Sequence, residues 1–122
     1  MALAIDIMRG GQSAGSARAF NGAVAPSVSA AGTTITDATN LQATTNYLTT
    51  VASGAGVQLP GMEIGDNCVV YNSGANQCIV YPESSSVAIN QIAAGSGAIL
   101  PIETAMLFWK VSSTQVVAFM SA

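Results

Sequence analysis

Histidine is absent from the 122-residue chain, and that absence removes more chemistry than any other feature of the composition. Without imidazole there is no Ser-His or Cys-His activation of a nucleophile, and the commonest side-chain ligand of transition metals is missing. Charge is almost as scarce: three Lys or Arg and six Asp or Glu make 7% of the residues, against roughly 25% in ordinary soluble domains. Three basic residues and a net charge of −3 cannot supply the counterion release that drives binding to phosphates, so no nucleic-acid partner is expected. No apolar run approaches the ~20 residues of a spanning helix, and no basic segment precedes the short apolar stretch at the N-terminus as it would in a secretory signal. The expectation is a protein made in the cytoplasm with no membrane partner.

The remaining chemistry is thin. Cys68 and Cys78, ten positions apart without histidine, do not make a zinc site, and no alternating-oxygen loop suggests calcium. Glu63 and Asp66 are the one close carboxylate pair, but Gly65-Asp66-Asn67 is ordinary turn chemistry. Neither a catalytic residue, a metal ligand nor a cofactor is expected, and the chain reads as a non-enzyme.

What the sequence does contain is small residues and β-branched ones. Half of the residues are apolar, yet 21 of them are Ala, so the core is small and a partner surface is expected to complete it. A surface of Ala, Ser, Thr, Asn and Gly with so little charge suits a protein that is largely covered in its working state.

Among the first thirty-two positions eighteen are Ala, Gly or Ser. Residues 1–34 are expected to form an extended N-terminal arm, and residues 35–122 the folded domain. The arm carries the apolar anchors Leu3, Ile5, Ile7, Met8, Phe20, Val24 and Val28, which a purely solvating tail has no reason to hold. About thirty residues reach roughly 100 Å when extended, enough to cross a neighbouring subunit.

From Ile35 onward, short runs of β-branched and aromatic residues alternate with Gly, Pro, Asn and Ser breaks. Strands are expected near 35–38, 41–44, 47–53, 57–59, 67–72, 77–82, 87–92, 98–102, 105–111 and 115–120. The expected class is all-β, a compact antiparallel β-sandwich or jelly-roll-like barrel behind the arm. Ser73-Gly74-Ala75-Asn76 suggests a type II′ hairpin that sets Tyr71 opposite Cys78 and Cys68 opposite Tyr81. In that register the cysteines project from opposite faces, and both should be free thiols.

The strands of this hairpin, and those of the one near the C-terminus, are apolar on both faces. A small domain cannot bury two faces of two hairpins unless layers stack or copies associate. Tyr71, Val80, Tyr81, Phe108 and Trp109 are therefore candidates for an oligomer interface.

The string Thr49-Thr-Val-Ala-Ser-Gly-Ala-Gly56-Val57-Gln-Leu59-Pro60, then Val69-Val-Tyr-Asn72-Ser-Gly74-Ala75-Asn76, Val80-Tyr81-Pro82 and Ile89-Asn90, resembles small virion proteins of tailed bacteriophages. The best piece is the Asn-x-Gly-Ala-Asn turn followed by Val-Tyr-Pro, and the likeness covers the C-terminal two thirds. It departs from that pattern in having Gln91 after the Ile-Asn pair and Ala118-Phe119 near the close. The resemblance implies a β-rich capsid decoration (cement) protein, often trimeric, that binds the major capsid protein on the outer surface of the virion. The alternatives are a head- or tail-fibre domain, or a small carbohydrate-binding module for which the exposed aromatics would form the platform.

Overall fold

Residues 23–121 are described by the computed structural model, and they form ten strands in two sheets with no helix among them. In chain order these are β1 (Val24–Ala30), β2 (Thr39–Asn40), β3 (Thr45–Val51), β4 (Gly56–Gln58), β5 (Asn67–Asn72), β6 (Cys78–Tyr81), β7 (Ala88–Ile89), β8 (Ala98–Leu100), β9 (Ala105–Ser112) and β10 (Gln115–Met120). The six-stranded sheet runs β1-β3-β5-β9-β10-β7 and the four-stranded sheet β2-β4-β6-β8.

The all-β class is as expected, but the architecture is not the antiparallel sandwich or jelly roll. The chain alternates between the sheets, β1 to β2, β3 to β4, β5 to β6, and within each sheet these strands pair in parallel. The result is a short β-solenoid-like stack of three coils. Antiparallel β8, β9 and the β9–β10 hairpin then close it on one side.

The difference is decided at the turn from Asn72 to Asn76. A type II′ hairpin there would have returned the chain beside β5, whereas β5 and β6 lie in different sheets. Asn72 is fully buried; its Oδ1 accepts from the Gly74 amide at 2.9 Å and its Nδ2 donates to the carbonyls of Asn76 and Leu100. Ser73 donates twice to the Leu48 carbonyl, and Asn76 Nδ2 donates to the carbonyl of Val51. The segment is thus a corner stacked on the corner of the preceding coil. Gly74 is required by that stacking, because a Cβ there would lie 2.7 Å from Val51 Cγ2 and 2.9 Å from its backbone nitrogen.

Other expectations fall as well: the strand expected at 41–44 is not formed, a two-residue strand at 39–40 preceding that stretch. No strand covers 35–38, because the Asp37 carboxylate accepts from the amides of Thr33 and Thr34 and from the Thr34 hydroxyl, tying a turn. Those bonds, led by the Thr34 amide, hold the Asp37 carboxyl below its usual range. At the other end, residues 24–30, expected within the arm, form β1 of the six-stranded sheet, so the folded body begins before residue 35.

Between the sheets lie the inward side chains, with Leu48, Val57, Cys68, Val70, Cys78, Val80, Ile89, Leu100 and Phe108 all at zero exposure. Val80 and Phe108, expected at an oligomer interface, are core residues of β6 and β9. Lys110, also inward on β9, pairs with Glu83, whose second oxygen accepts from the Met62 amide at 2.9 Å. This pair pins the loop after β6 to the six-stranded sheet.

Phe108→Ala should cost about 3–5 kcal/mol as a core cavity, and Gly74→Ala about 1–3 kcal/mol by overpacking the corner. Urea unfolding monitored by circular dichroism checks both; a Gly74→Ala protein as stable as the parent would rule out the stacked-corner account. Lys110→Met leaves the half-buried Glu83 carboxylate without its cation and should destabilise by about 1–3 kcal/mol, part of it recovered by adding Glu83→Leu, which also removes the acceptor of the Met62 amide.

Candidate interaction face

Strand pleating sends alternate residues to opposite faces, and on β5, β9 and β10 the outward set is as apolar as the inward one, while β3 adds Tyr47 between two threonines. Register places the outward residues side by side. Tyr47 of β3 stands opposite Tyr71 of β5, with ring centroids 5.2 Å apart and planes 11° from parallel. Val69 of β5 pairs with Leu107 of β9, which pairs in turn with Phe119 of β10, and Trp109 sits between Asn67 and Val117. Tyr47, Trp109 and Phe119 are 43%, 46% and 54% exposed.

This face bears no charged side chain. The rest of the described body is charged with one sign only, since Asp37, Glu63, Asp66 and Glu103 are exposed in loops while Lys110, its one basic residue, is buried against Glu83. Thr45, Thr49 and Asn67 supply the polar groups at its margin.

The five residues expected at an oligomer interface are therefore divided by the fold. Tyr71 and Trp109 lie on the exposed face, and Val80 and Phe108 lie inside. Tyr81 lies on the outer side of the four-stranded sheet and is committed within the chain: its hydroxyl donates to the Thr33 carbonyl at 2.9 Å, and its ring lies over Gly56. Tyr47, Leu107, Val117 and Phe119, which are not among the five interface candidates, complete this face. The period-two pattern contained them, but which face is outward depends on the coil. Of the apolar anchors expected in an arm, Val24 is exposed and Val28 half-buried on β1; Leu3, Ile5, Ile7, Met8 and Phe20 lie outside the described residues.

Most of the other polar features are engaged, the exception being the Oδ1 of buried Asn46, which has no hydrogen-bond partner among the described residues. A cleft of about 350 Å³ beside β2 and β4 is lined by Asn40, Gln42, Gln58 and Glu83. Gln58 donates to the Glu83 carbonyl, and both Glu83 carboxylate oxygens have partners. Asp66 Oδ2 accepts from the Glu63 amide in a turn. Among the described residues, no three His, Cys, Asp or Glu side chains gather as a metal would require.

Cys68 and Cys78 are free and buried, as expected, but for a different reason than a hairpin register. Both point inward from separate sheets. Burial pushes the Cys68 thiol up to about 12, partly countered by the Asn46 amide, and the Cys78 thiol up to about 11. The folded protein should therefore resist iodoacetamide at pH 8, with both thiols labelled after denaturation, as mass spectrometry would register. Because these pKa values are raised on folding, the unfolded chain loses its thiol protons first. Stability should be independent of these groups below pH 9 and should fall from there to about pH 12, over which denaturation midpoints can be followed.

No family model matches the chain, and no curated protein or solved structure is significantly similar to it.

Proposed function

We propose that the protein is a structural, non-catalytic component of a bacteriophage virion, a decoration protein that works as a homo-oligomer, most simply a trimer. It would bind the major capsid protein on the outer surface of the shell and stabilise it there. The observation that carries this reading is the uncharged, aromatic face on a body otherwise poor in charge. An apolar surface of that kind on a small domain suits burial against protein. The Asn-x-Gly-Ala-Asn segment that resembles small virion proteins is also the corner on which the coils stack, so the resemblance lies in fold-building residues.

In this reading the protein acts by linkage. Binding across joints between capsomers favours the intact shell by the free energy of that binding, and rupture must overcome it. The N-terminal segment with Leu3, Ile5, Ile7, Met8 and Phe20 would supply the clasp onto neighbouring capsid subunits. A carbohydrate-binding module is the second reading, favoured by the flat Tyr47, Tyr71 and Trp109 platform with hydroxyls at its margin; a glycan array would reveal it.

Co-sedimentation with purified shells tests the first reading. Apolar contacts should hold the protein on shells in about 1 M salt, where the Debye length is near 3 Å; release on raising salt speaks against it. Deleting residues 1–22, which leaves β1 intact, should abolish retention without unfolding the body. Undiminished retention would exclude the clasp.

A further inference from the structure

The decoration reading leaves open what covers the apolar face: the shell or another copy of the chain. We infer that the outer face of the six-stranded sheet is the surface on which copies of this protein pack against one another. This inference rests on the proposal that the protein works as an oligomer, and it assigns a surface to that role.

Sheets associate either by adding strands at an edge or by stacking faces. Both edges here are obstructed. On β1, Pro26 lacks a donor and the pairing with β3 shifts register around Val28, so the edge is neither flat nor fully equipped. On β10, the short strand β7 pairs with Gln115 and Val116. Beyond it Asn90, held at φ 53°, continues the ladder with its side chain, its Oδ1 accepting from the Ala118 amide at 2.8 Å and its Nδ2 donating to the Ala118 carbonyl. The edges of the smaller sheet are strands of two and three residues, too short to template a neighbour. Face packing remains.

The area is sufficient. At about half of the ~150–250 Å² that a buried aromatic covers, Tyr47, Trp109 and Phe119 alone leave roughly 300 Å² open. With Leu107, Val111 and Val117 across the same strands, the apolar part of the face is roughly half of the ~800 Å² that each partner buries in a standard interface, close to the apolar share such interfaces have.

Charge confines a second copy to this face. Every exposed charge on the described body is a carboxylate, so two copies repel wherever those loops approach. The face between those loops bears no charge, so a second copy can cover it without burying a carboxylate. Tyr, Trp and Phe in a charge-free centre are also the composition of an interface core.

Light scattering on the gel-filtered full chain tests this. Wild type should elute at a multiple of the chain mass, and Trp109→Glu or Phe119→Glu should move it to the monomer with an unchanged circular dichroism spectrum. Ile99→Glu, equally exposed on the opposite sheet, should leave the multimer intact. Trp109 is the sole tryptophan, so its fluorescence reports on the face without any substitution. Its quenching by iodide should increase several-fold on dilution as copies separate. A monomeric wild type, a multimer indifferent to both glutamate substitutions, or Trp109 quenched as a free indole within a multimer would each overturn the inference.

Shell sedimentation separates this outcome from the decoration reading. Wild type that binds shells as a monomer, with binding lost in Trp109→Glu, gives the face to the shell and overturns the inference and the oligomer with it, while decoration stands. A multimer disrupted by Trp109→Glu that never sediments with shells upholds the interface and overturns decoration. Quenching of Trp109 by a soluble polysaccharide in monomeric protein gives the face to a glycan and overturns it as well.

Discussion

Asn72 carries no charge and does no chemistry, yet the architecture turns on its side chain. A buried amide left without its hydrogen bonds costs about 1–3 kcal/mol. Here the partners are the backbone of its own corner, Gly74 and Asn76, and the carbonyl of Leu100 in the opposite sheet. Meeting them requires the chain to leave one sheet for the other instead of doubling back. Once β5 and β6 are in different sheets, parallel stacking follows, since each later coil lies on the corner of the one before it, as Ser73 and Asn76 lie on Leu48 and Val51.

That stacking also accounts for the small core and the excess of apolar surface. Two sheets facing each other bury one side of each strand, and nothing in the described chain crosses the outer side of the larger sheet. Tyr81 shows the contrast on the smaller sheet, where a glycine beneath the ring and a carbonyl at its hydroxyl absorb an aromatic that would otherwise be exposed. Tyr47, Trp109 and Phe119 have no such accommodation. Their exposure is a property of the fold and agrees with a composition too poor in charge for a surface meant to stay wet.

Much of this was legible from residue order. The strands of the C-terminal half lie close to where β-branched runs and turn residues put them, and the β9–β10 hairpin forms around Ser112-Ser113-Thr114. Errors came where side chains compete with the backbone. The Asp37 carboxylate made a turn of a β-branched stretch, and the Asn72 amide made a corner of a plausible II′ hairpin. Both are local polar groups whose choice of partner depends on what stands nearby in three dimensions. The small-residue composition that suggested an arm likewise concealed β1, whose pairing comes from β3 and not from its own propensity.

By itself the sequence determined the class, the strand-rich C-terminal half, the poverty of titratable chemistry and the presence of two apolar faces, because composition and period-two patterning depend only on residue order. Tertiary structure alone decided which of those faces is inside. Val69 and Val70, or Phe108 and Trp109, are equivalent to a pattern that records only alternation. The coil breaks the equivalence by setting a second sheet against one side, and the free energy of filling that gap sends Val70 and Phe108 inward and leaves Trp109 at the surface.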